Sequence, residues 1–589
     1  GLNSRIDAPL SWDREVAPFT FDGDYLVAWT LAPLAILAVA LFLRFTDVGV
    51  AVRAAADRAD RASLLGIPVG RLHTYVWAIA ALLSFVALWL QAGLVGLPLG
   101  SPMGLSVLLG ALAALMMGRL TNLPAIVASA LALGLLQAHV RWNDELALGP
   151  VHLDLGSDFV VAPVLALVIL VTLVLRRPGL SRLDAEATSS WQAAGLLRPI
   201  PRELARLPEV TARWALLPVA AVVLWLLPSW LGPGSTLKAA AVLIFAIIIL
   251  SITVLTGWAG QVSLGQMGFV AVGGAFGAKA TDEWGLDIAL ALPLVGLIGA
   301  AVAIVVGLPA LRLRGLYLAV TSLAFALATT HYILNPQFFD WVPDQRLDPD
   351  PLLGQWEYDS PAGVYKLALV TFALLVVGVT GIRRSRTGRV LQGLRENERA
   401  VAAYGVSVVR AKLTAFALSG FLAAVAGVLL VHLQGHFTLG LFREEENLVV
   451  FTAAVVGGLG SVLGAVLGSL FLKGGGWFLP TEWQLFTTAI GVLVVLLVLP
   501  GGVGGALFRG RDLYLRWVAR RRGLIVPSLL ADVAEPEIGA GTAFEPPPDD
   551  GGGPTGDTAG DAAGDTAGAA TTAATTPPAA GTDTPVGAS

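Results

Sequence analysis

The chain has 589 residues, of which 56% are apolar and 14% charged, and its mean hydropathy is +0.74. This composition excludes an ordinary soluble enzyme and predicts a membrane protein with many spans. The net charge of −4 is unevenly distributed: the last 59 residues, from Ala531, hold ten acidic residues and no Lys or Arg, which leaves the rest at +6. The absence of cysteine excludes disulfides and thiolate chemistry.

Apolar stretches occur along most of the chain, and a helix needs about 20 mainly apolar residues to cross a membrane. They predict an all-α, polytopic transmembrane helical bundle. The predicted spans lie near 27–43, 72–94, 104–118, 122–140, 159–175, 214–231, 237–256, 261–279, 288–308, 315–331, 364–381, 411–433, 447–472 (as two short passes) and 483–500.

The loops between these spans alternate in charge. The segment 383–412 holds eight Lys and Arg, for example, whereas 340–359 holds six Asp and Glu. Because positive residues are retained on the cytoplasmic side, we expect the basic loops and the C-terminal tail to be cytoplasmic. The charged run 443–446 then falls outside, as solvated charge or as a contact for a binding protein.

The C-terminal region has two parts. An Arg-rich segment, 506–530, is predicted to anchor on anionic membrane lipid rather than to bind nucleic acid. Beyond it, 531–589 is rich in Gly, Pro, Ala, Thr and Asp, which predicts a disordered acidic tail.

An internal repeat divides the rest of the chain. Residues of the first part recur 339 positions later without a gap; the pairs include Gly49 and Gly388, Gly66 and Gly405, Arg71 and Arg410, Gly96 and Gly435, and Gly118 and Gly457. The repeat predicts two homologous units in parallel orientation, 1–175 and 211–505, joined by a cytoplasmic linker, 176–210.

Each unit carries one amphipathic cytoplasmic segment. Gly49–Leu65 and Gly388–Tyr404 are each predicted to form one helix of 17 residues that a glycine ends. Such a helix could dock a cytoplasmic partner or lie on lipid. None of the five lysines follows a glycine, so the chain has no nucleotide-binding P-loop. Energy for transport would then come from another polypeptide or from an ion gradient.

A glycine-rich stretch, Gly257–Gly268, is predicted to interrupt a span. A broken helix could offer backbone groups to an amino acid, although close packing of small residues would explain the glycines equally well. The candidate pathway residues are Gly260, Gln261, Ser263, Gly265 and Gln266.

The pattern of the other polar residues is typical of structural rather than functional roles. Thr321, Ser322, Thr329 and Thr330 are expected to bond back to their own helix. His432 and His436 are four residues apart and could share a helix face, but no third ligand is placed to complete a metal site. We expect no catalytic residue, metal or cofactor.

Four segments, 388–420, 255–278, 311–326 and 455–468, resemble the LivM-type permease of branched-chain amino acid ATP-binding cassette (ABC) importers, and 44–72 resembles the paired LivH type. The resemblance covers about 25–505 and implies a fusion of the C-terminal part of a LivH-like unit, 1–175, with a LivM-like unit, 211–505. It also implies two cytoplasmic ATPase subunits, an extracytoplasmic substrate-binding protein, an amino acid substrate and a bacterial plasma (inner) membrane. The implied coupling residues are Asp57, Asp60 and Gly66 in the first unit and Glu396, Glu398 and Gly405 in the second.

The two units differ in length before the amphipathic segment. The second has about 175 residues there and the first has 48, so we expect the first unit to be truncated at its N-terminus. Three alternatives stay open: a urea or short-chain amide ABC permease, a gradient-driven secondary transporter, and a non-transport scaffold or sensor. A gradient-driven transporter usually needs ionisable residues near the middle of the bilayer, and the spans contain almost none.

Overall fold

A computed structural model describes most of the chain. The described residues are 3–4, 14–16, 19–57, 59–94, 96–98, 104–118, 122–142, 145–148, 151–154, 204, 207, 213–311, 315–336, 339–343, 346–347, 351–443, 445–480, 483, 491–499 and 501–522. All of the described residues belong to one compact unit. The predicted acidic tail, the span 159–175 and nearly all of the linker 176–210 lie outside the described residues.

The first part of the chain folds into six described helices. These are α1 (Gly23–Phe45), α2 (Asp47–Asp57), α3 (Ala59–Leu64), α4 (Val69–Leu94), α5 (Gly104–Met117) and α6 (Leu123–Trp142). Short antiparallel strands accompany them: β1 (Asn3–Ser4) pairs with β4 (Leu97–Pro98), β2 (Arg14–Val16) with β3 (Phe19–Phe21), and β5 (Glu145–Leu148) with β6 (Val151–Asp154). These ribbons leave the all-α class unchanged.

The second part begins with six helices that surround the main core. They are α7 (Arg213–Trp230), α8 (Pro233–Ile252, extended by a π-helical turn, Thr253–Trp258), α9 (Gln266–Asp282), α10 (Ile288–Ala310), α11 (Leu316–Ala328, extended by a π-helical turn, Thr329–Ile333) and α12 (Pro361–Arg384).

Further helices complete it. They are α13 (Arg386–Glu396), α14 (Glu398–Ala403), α15 (Val408–Gln434), α16 (Glu445–Gly457), α17 (Val462–Ser469), α18 (Gly475–Phe478, reached through a π-helical turn, Leu470–Gly474), α19 (Gly491–Val498) and α20 (Gly502–Arg521).

The structural repeat has the register of the sequence repeat. Helices α2 and α3 and the first residue of α4 lie 339 positions before α13, α14 and the first residue of α15. Gly66 and Gly405, which follow the short helices, have positive φ angles of 82° and 77°. At Gly49 and Gly388 an added Cβ would strike the end of the preceding helix. The same local structure therefore occurs in both parts of the chain.

The prediction of one continuous helix for each amphipathic segment is wrong. Each segment contains two short helices, α2 and α3 or α13 and α14. In the second segment, Asn397 interrupts the helix with φ −154° and ψ 98°, and its side-chain oxygen accepts the N–H of Ala400 at 3.0 Å. Asn competes for backbone donors in this way and favours the cap of a new helix over a helix interior.

Six described helices are long and apolar enough to cross a membrane: α1, α4, α8 with its π-helical turn, α10, α12 and α15. The bent pair α19 and α20 would make seven. The predicted span 261–279 is wrong at its start, because α9 begins only at Gln266. The predicted span 447–472 does consist of two helices, α16 and α17.

The core lies where α8, α9 and α15 meet. Small residues let these helices approach closely: a Cβ at Gly273 would strike the backbone of Ala424, and one at Gly427 would lie 2.7 Å from the nitrogen of Gly274. Most of α8 and α15 is buried, whereas α1 and α4 are largely exposed. The tight core thus belongs to the second part of the chain.

Candidate functional site at a helix break

The glycine-rich stretch forms a true break between two helices. The π-helical turn ends at Trp258, residues 259–265 are not helical, and α9 begins at Gln266. Gly260 has a φ of +68°, which side-chain-bearing residues rarely adopt. The Thr256 hydroxyl donates to the Gln261 carbonyl at 3.0 Å and holds the turn. π-helical turns occur often at functional sites.

The five candidate pathway residues differ in burial along the break. Gly260 is exposed and Gln261 is half-buried, whereas Ser263, Gly265 and Gln266 are buried. The chain therefore runs from the surface into the core within seven residues.

A buried polar network begins where α9 starts. Gln266 Nε2 donates to Ser419 Oγ at 2.9 Å, and Ser419 Oγ donates to the Ser251 carbonyl at 3.0 Å. The Met267 N–H donates to Asn447 Oδ1 at 2.9 Å. Gln266 Oε1 is buried and has no hydrogen-bond partner among the residues that the structure describes. The network joins α8, α9, α15 and α16 inside an apolar core.

Small-residue packing contributes to the same site. A Cβ at Gly265 would strike the backbone of Ser322, and one at Gly268 would lie 2.8 Å from the Cα of Ala326. Ser322 Oγ accepts the Leu264 N–H at 2.9 Å. The helix is therefore broken, and its flanks are also closely packed against α11.

The break contacts the second amphipathic segment. Arg395 Nη1, from α13, donates to the Gly257 carbonyl at 2.5 Å. Trp258 Nε1 donates to the Gly460 carbonyl at 3.1 Å, and the Arg383 guanidinium lies 5.7 Å from the centre of the Trp258 ring. Sequence reasoning missed Arg395, because the only signal was its place beside Glu396.

The predicted coupling residues of the second unit differ from one another in exposure and in contacts. Glu396 is exposed. Glu398 binds Lys412 Nζ through both carboxylate oxygens, at 3.0 and 3.1 Å, and the Lys412 side chain is only 3% exposed. Gly405 is exposed and follows Tyr404, which is 87% exposed. Glu398 thus holds α14 against α15.

The predicted coupling residues of the first unit lie at a similar surface. Asp57 and Gly66 are exposed, and the side chain of Asp60 lies outside the described residues. Leu65, at the position equivalent to Tyr404, is 82% exposed. Both segments therefore present a large apolar side chain beside the glycine that ends them.

The remaining polar candidates bond to nearby backbone. All four Ser and Thr hydroxyls on α11 and its π-helical turn donate to carbonyls three or four residues earlier, as expected; they belong to Thr321, Ser322, Thr329 and Thr330. His432 and His436 do not share a helix face, because α15 ends at Gln434. Their Nδ1 atoms lie 2.8 and 3.0 Å from the carbonyls of Val428 and Gln434. Among the described residues, no cluster of three potential metal ligands occurs.

One ion pair differs from the sequence expectation for the run 443–446. Glu446 is partly buried and binds Lys473 Nζ at 2.7 Å. Lys473 also lies 4.3 Å from the centre of the Phe245 ring and 5.6 Å from that of Trp477. At least one acidic residue of this run is therefore an internal partner rather than solvated charge.

Comparison with known proteins shows which family model this chain matches. A family model described as "Branched-chain amino acid transport system / permease component" matches residues 3–149 and 237–498, which is more than half of the chain. The two matched segments are those that contain the structural repeat. No solved structure matches the chain.

Curated relatives carry transport names. The chain is 33% identical over 282 residues to the high-affinity branched-chain amino acid transport system permease protein LivM of Salmonella typhimurium, covering 44% of this chain and 65% of the relative. It is 33% identical over 143 residues to LivH of the same organism, covering 23% and 46%. It is 33% identical over 158 residues to the autoinducer 2 import system permease protein LsrC of Klebsiella pneumoniae, covering 25% and 45%. The chain spans less than two thirds of each of these relatives.

Proposed function

Because the chain belongs to the family of permease components of branched-chain amino acid transport systems, we propose that it is the membrane permease of an ABC importer. It carries branched-chain or related amino acids, which an extracytoplasmic substrate-binding protein delivers. Two separate cytoplasmic ATPase subunits supply the energy, and the chain itself catalyses no reaction. LivM and LivH, named as branched-chain amino acid permeases, support this assignment together with the lack of a P-loop.

The observation that carries the proposal is the duplicated amphipathic segment. Segments 47–64 and 386–403 have the same two-helix form and the same glycine ending with positive φ. Each one receives an ATPase subunit. The contact is made by exposed Asp57 and Glu396 and by the exposed side chains of Leu65 and Tyr404.

Orientation and unit boundaries follow from the same proposal. The two segments lie on the cytoplasmic side of a bacterial plasma membrane, and so does the acidic tail 531–589. The first permease unit extends over 1–175 and the second over 211–505, with the linker 176–210 between them. The basic segment 506–530, of which α20 forms most of the described part, lies on anionic lipid.

The substrate path follows the break between α8 and α9. Exposed Gly260 and half-buried Gln261 offer backbone and amide groups, and buried Ser263, Gly265 and Gln266 continue the path inward. Gln266 Oε1, which has no partner in the polar network, is an available acceptor for the ammonium group of an amino acid.

A cargo screen tests the proposal. The cognate binding protein is mixed with leucine, isoleucine, valine, urea, short-chain amides and autoinducer 2, and its thermal stabilisation is measured. Uptake of each stabilising compound is then measured in proteoliposomes that hold the chain and both ATPase subunits. We expect stabilisation and uptake for branched-chain amino acids. Uptake of urea or amides alone would assign the chain to the alternative cargo class, and uptake of autoinducer 2 alone would assign it the cargo named for LsrC. The chain without ATPase subunits should hydrolyse no ATP.

A further inference from the structure

Arg395 joins the second amphipathic segment to the helix break. Its Nη1 atom donates to the Gly257 carbonyl at 2.5 Å. That carbonyl belongs to the last turn of α8, where carbonyls lack partners further along the helix. The Arg395 stem also packs against Gly260, where an added Cβ would lie 3.3 Å from Arg395 Cγ. A movement of α13 therefore acts on the break through a charged hydrogen bond and a steric contact.

A second break meets the same point. Residues 458–461 separate α16 from α17, and Gly458 and Gly460 there have φ angles of 102° and 108°. Gly460 accepts from Trp258 Nε1 at 3.1 Å, and a Cβ at Gly257 would lie 2.7 Å from the Gly460 nitrogen. The second break thus lies against the π-helical turn that precedes the first break, beside Arg395.

The break leads directly to the buried polar network. Only five residues separate Gly260, at Arg395, from Gln266, which binds Ser419. Within that distance the Leu264 N–H is fixed to Ser322 on α11. A shift of Gly260 therefore has a short covalent path to these bonds.

We propose that Arg395 is a positioning residue that transmits movement of the segment 386–403 to the break 259–265 and to the network beyond it. The inference rests on the proposed function, because the movement is the one that a docked ATPase subunit imposes. It predicts unequal roles for the two amphipathic segments. The positions equivalent to Arg395, Glu398 and Gly460 in the first unit hold Ala56, Ala59 and Thr121. The first segment therefore binds its ATPase subunit without an arginine contact of this kind. Movement of the second segment is the one that changes the conformation of the substrate path.

The first test needs neither ATPase nor substrate. The chain contains no cysteine, so Ser263→Cys creates a single label site at a position that is 0% exposed. The rate of labelling by a membrane-permeant maleimide is measured in the full chain in lipid nanodiscs. Adding R395A should raise that rate about tenfold, whereas the matched control R399A, at an exposed arginine of the same segment, should leave it unchanged. An unchanged rate in the R395A chain would overturn the proposal.

The second test uses the assembled importer in proteoliposomes. R395A should still co-purify with both ATPase subunits and hydrolyse ATP, but it should transport about tenfold less substrate for each ATP hydrolysed. R395K, which keeps a charged donor and most of the stem, should restore part of that ratio. A wild-type ratio in R395A, or loss of an ATPase subunit from it, would refute transmission through Arg395. Failure of the wild-type complex to transport would refute the proposed function instead, and the labelling result would stand apart from it.

Discussion

The contact between α9 and α15 gives the sharpest test of the packing. Gly427 of α15 faces the backbone of α9, where an added Cβ would strike the Val270 carbonyl and lie 2.7 Å from the Gly274 nitrogen. Both obstacles are backbone atoms, so Gly427→Ala must move a helix. Gly378 of α12 is the matched control, because an added Cβ there meets nothing within 4 Å.

The comparison of the two alanine variants isolates the packing cost. Each gains the same helix propensity, which favours Ala over Gly by about 1 kcal/mol, so that contribution cancels. Overpacking a filled core costs about 1–3 kcal/mol. We expect the free energy of unfolding of G427A to lie about 1–3 kcal/mol below that of G378A, measured by SDS titration in mixed micelles. Equal values for the two variants would refute the close approach of α9 and α15.

Four further substitutions test other contacts, again through the free energy of unfolding. Glu398→Ala should cost about 3 kcal/mol, because it leaves the buried ammonium group of Lys412 without its carboxylate partner. Lys412→Met should cost about 1 kcal/mol, because the remaining Glu398 carboxylate reaches water. A larger cost for Lys412→Met than for Glu398→Ala would contradict the burial of Lys412. Ser419→Ala should cost about 1–2 kcal/mol, since Gln266 Nε2 loses its acceptor, and a neutral effect would argue against the network. Gly405→Ala should cost about 1 kcal/mol, because its φ is +77°, and it should speed proteolysis next to α14; no change in either would contradict that geometry.

The sequence was informative about the repeat because glycines mark fixed backbone geometry. Gly66 and Gly405 end the short helices with positive φ, and Gly49 and Gly388 permit the sharp entry into them, so their common spacing follows the fold. Apolar length likewise identified most of the long helices. The spacing of these glycines and the length of apolar stretches can both be observed directly in the sequence.

Glycine spacing and apolar length do not predict the contacts that form the candidate site. Arg395 to Gly257 and Lys473 to Glu446 join residues far apart in the chain, and no periodic pattern specifies which charges meet. The interruption at Asn397 also went unpredicted, because an amphipathic pattern continues across a single capping residue. Tertiary packing determines the two long-range contacts, and local capping by Asn397 determines the interruption.

The proposed function requires that separate ATPase subunits drive transport through this chain. The direct measurement is uptake of labelled leucine into proteoliposomes that contain the chain, two ATPase subunits and the binding protein, with internal ATP maintained and a protonophore added. We expect uptake that survives the protonophore and ceases when the ATPase subunits are omitted. Uptake that persists without those subunits and collapses with the ion gradient would contradict it.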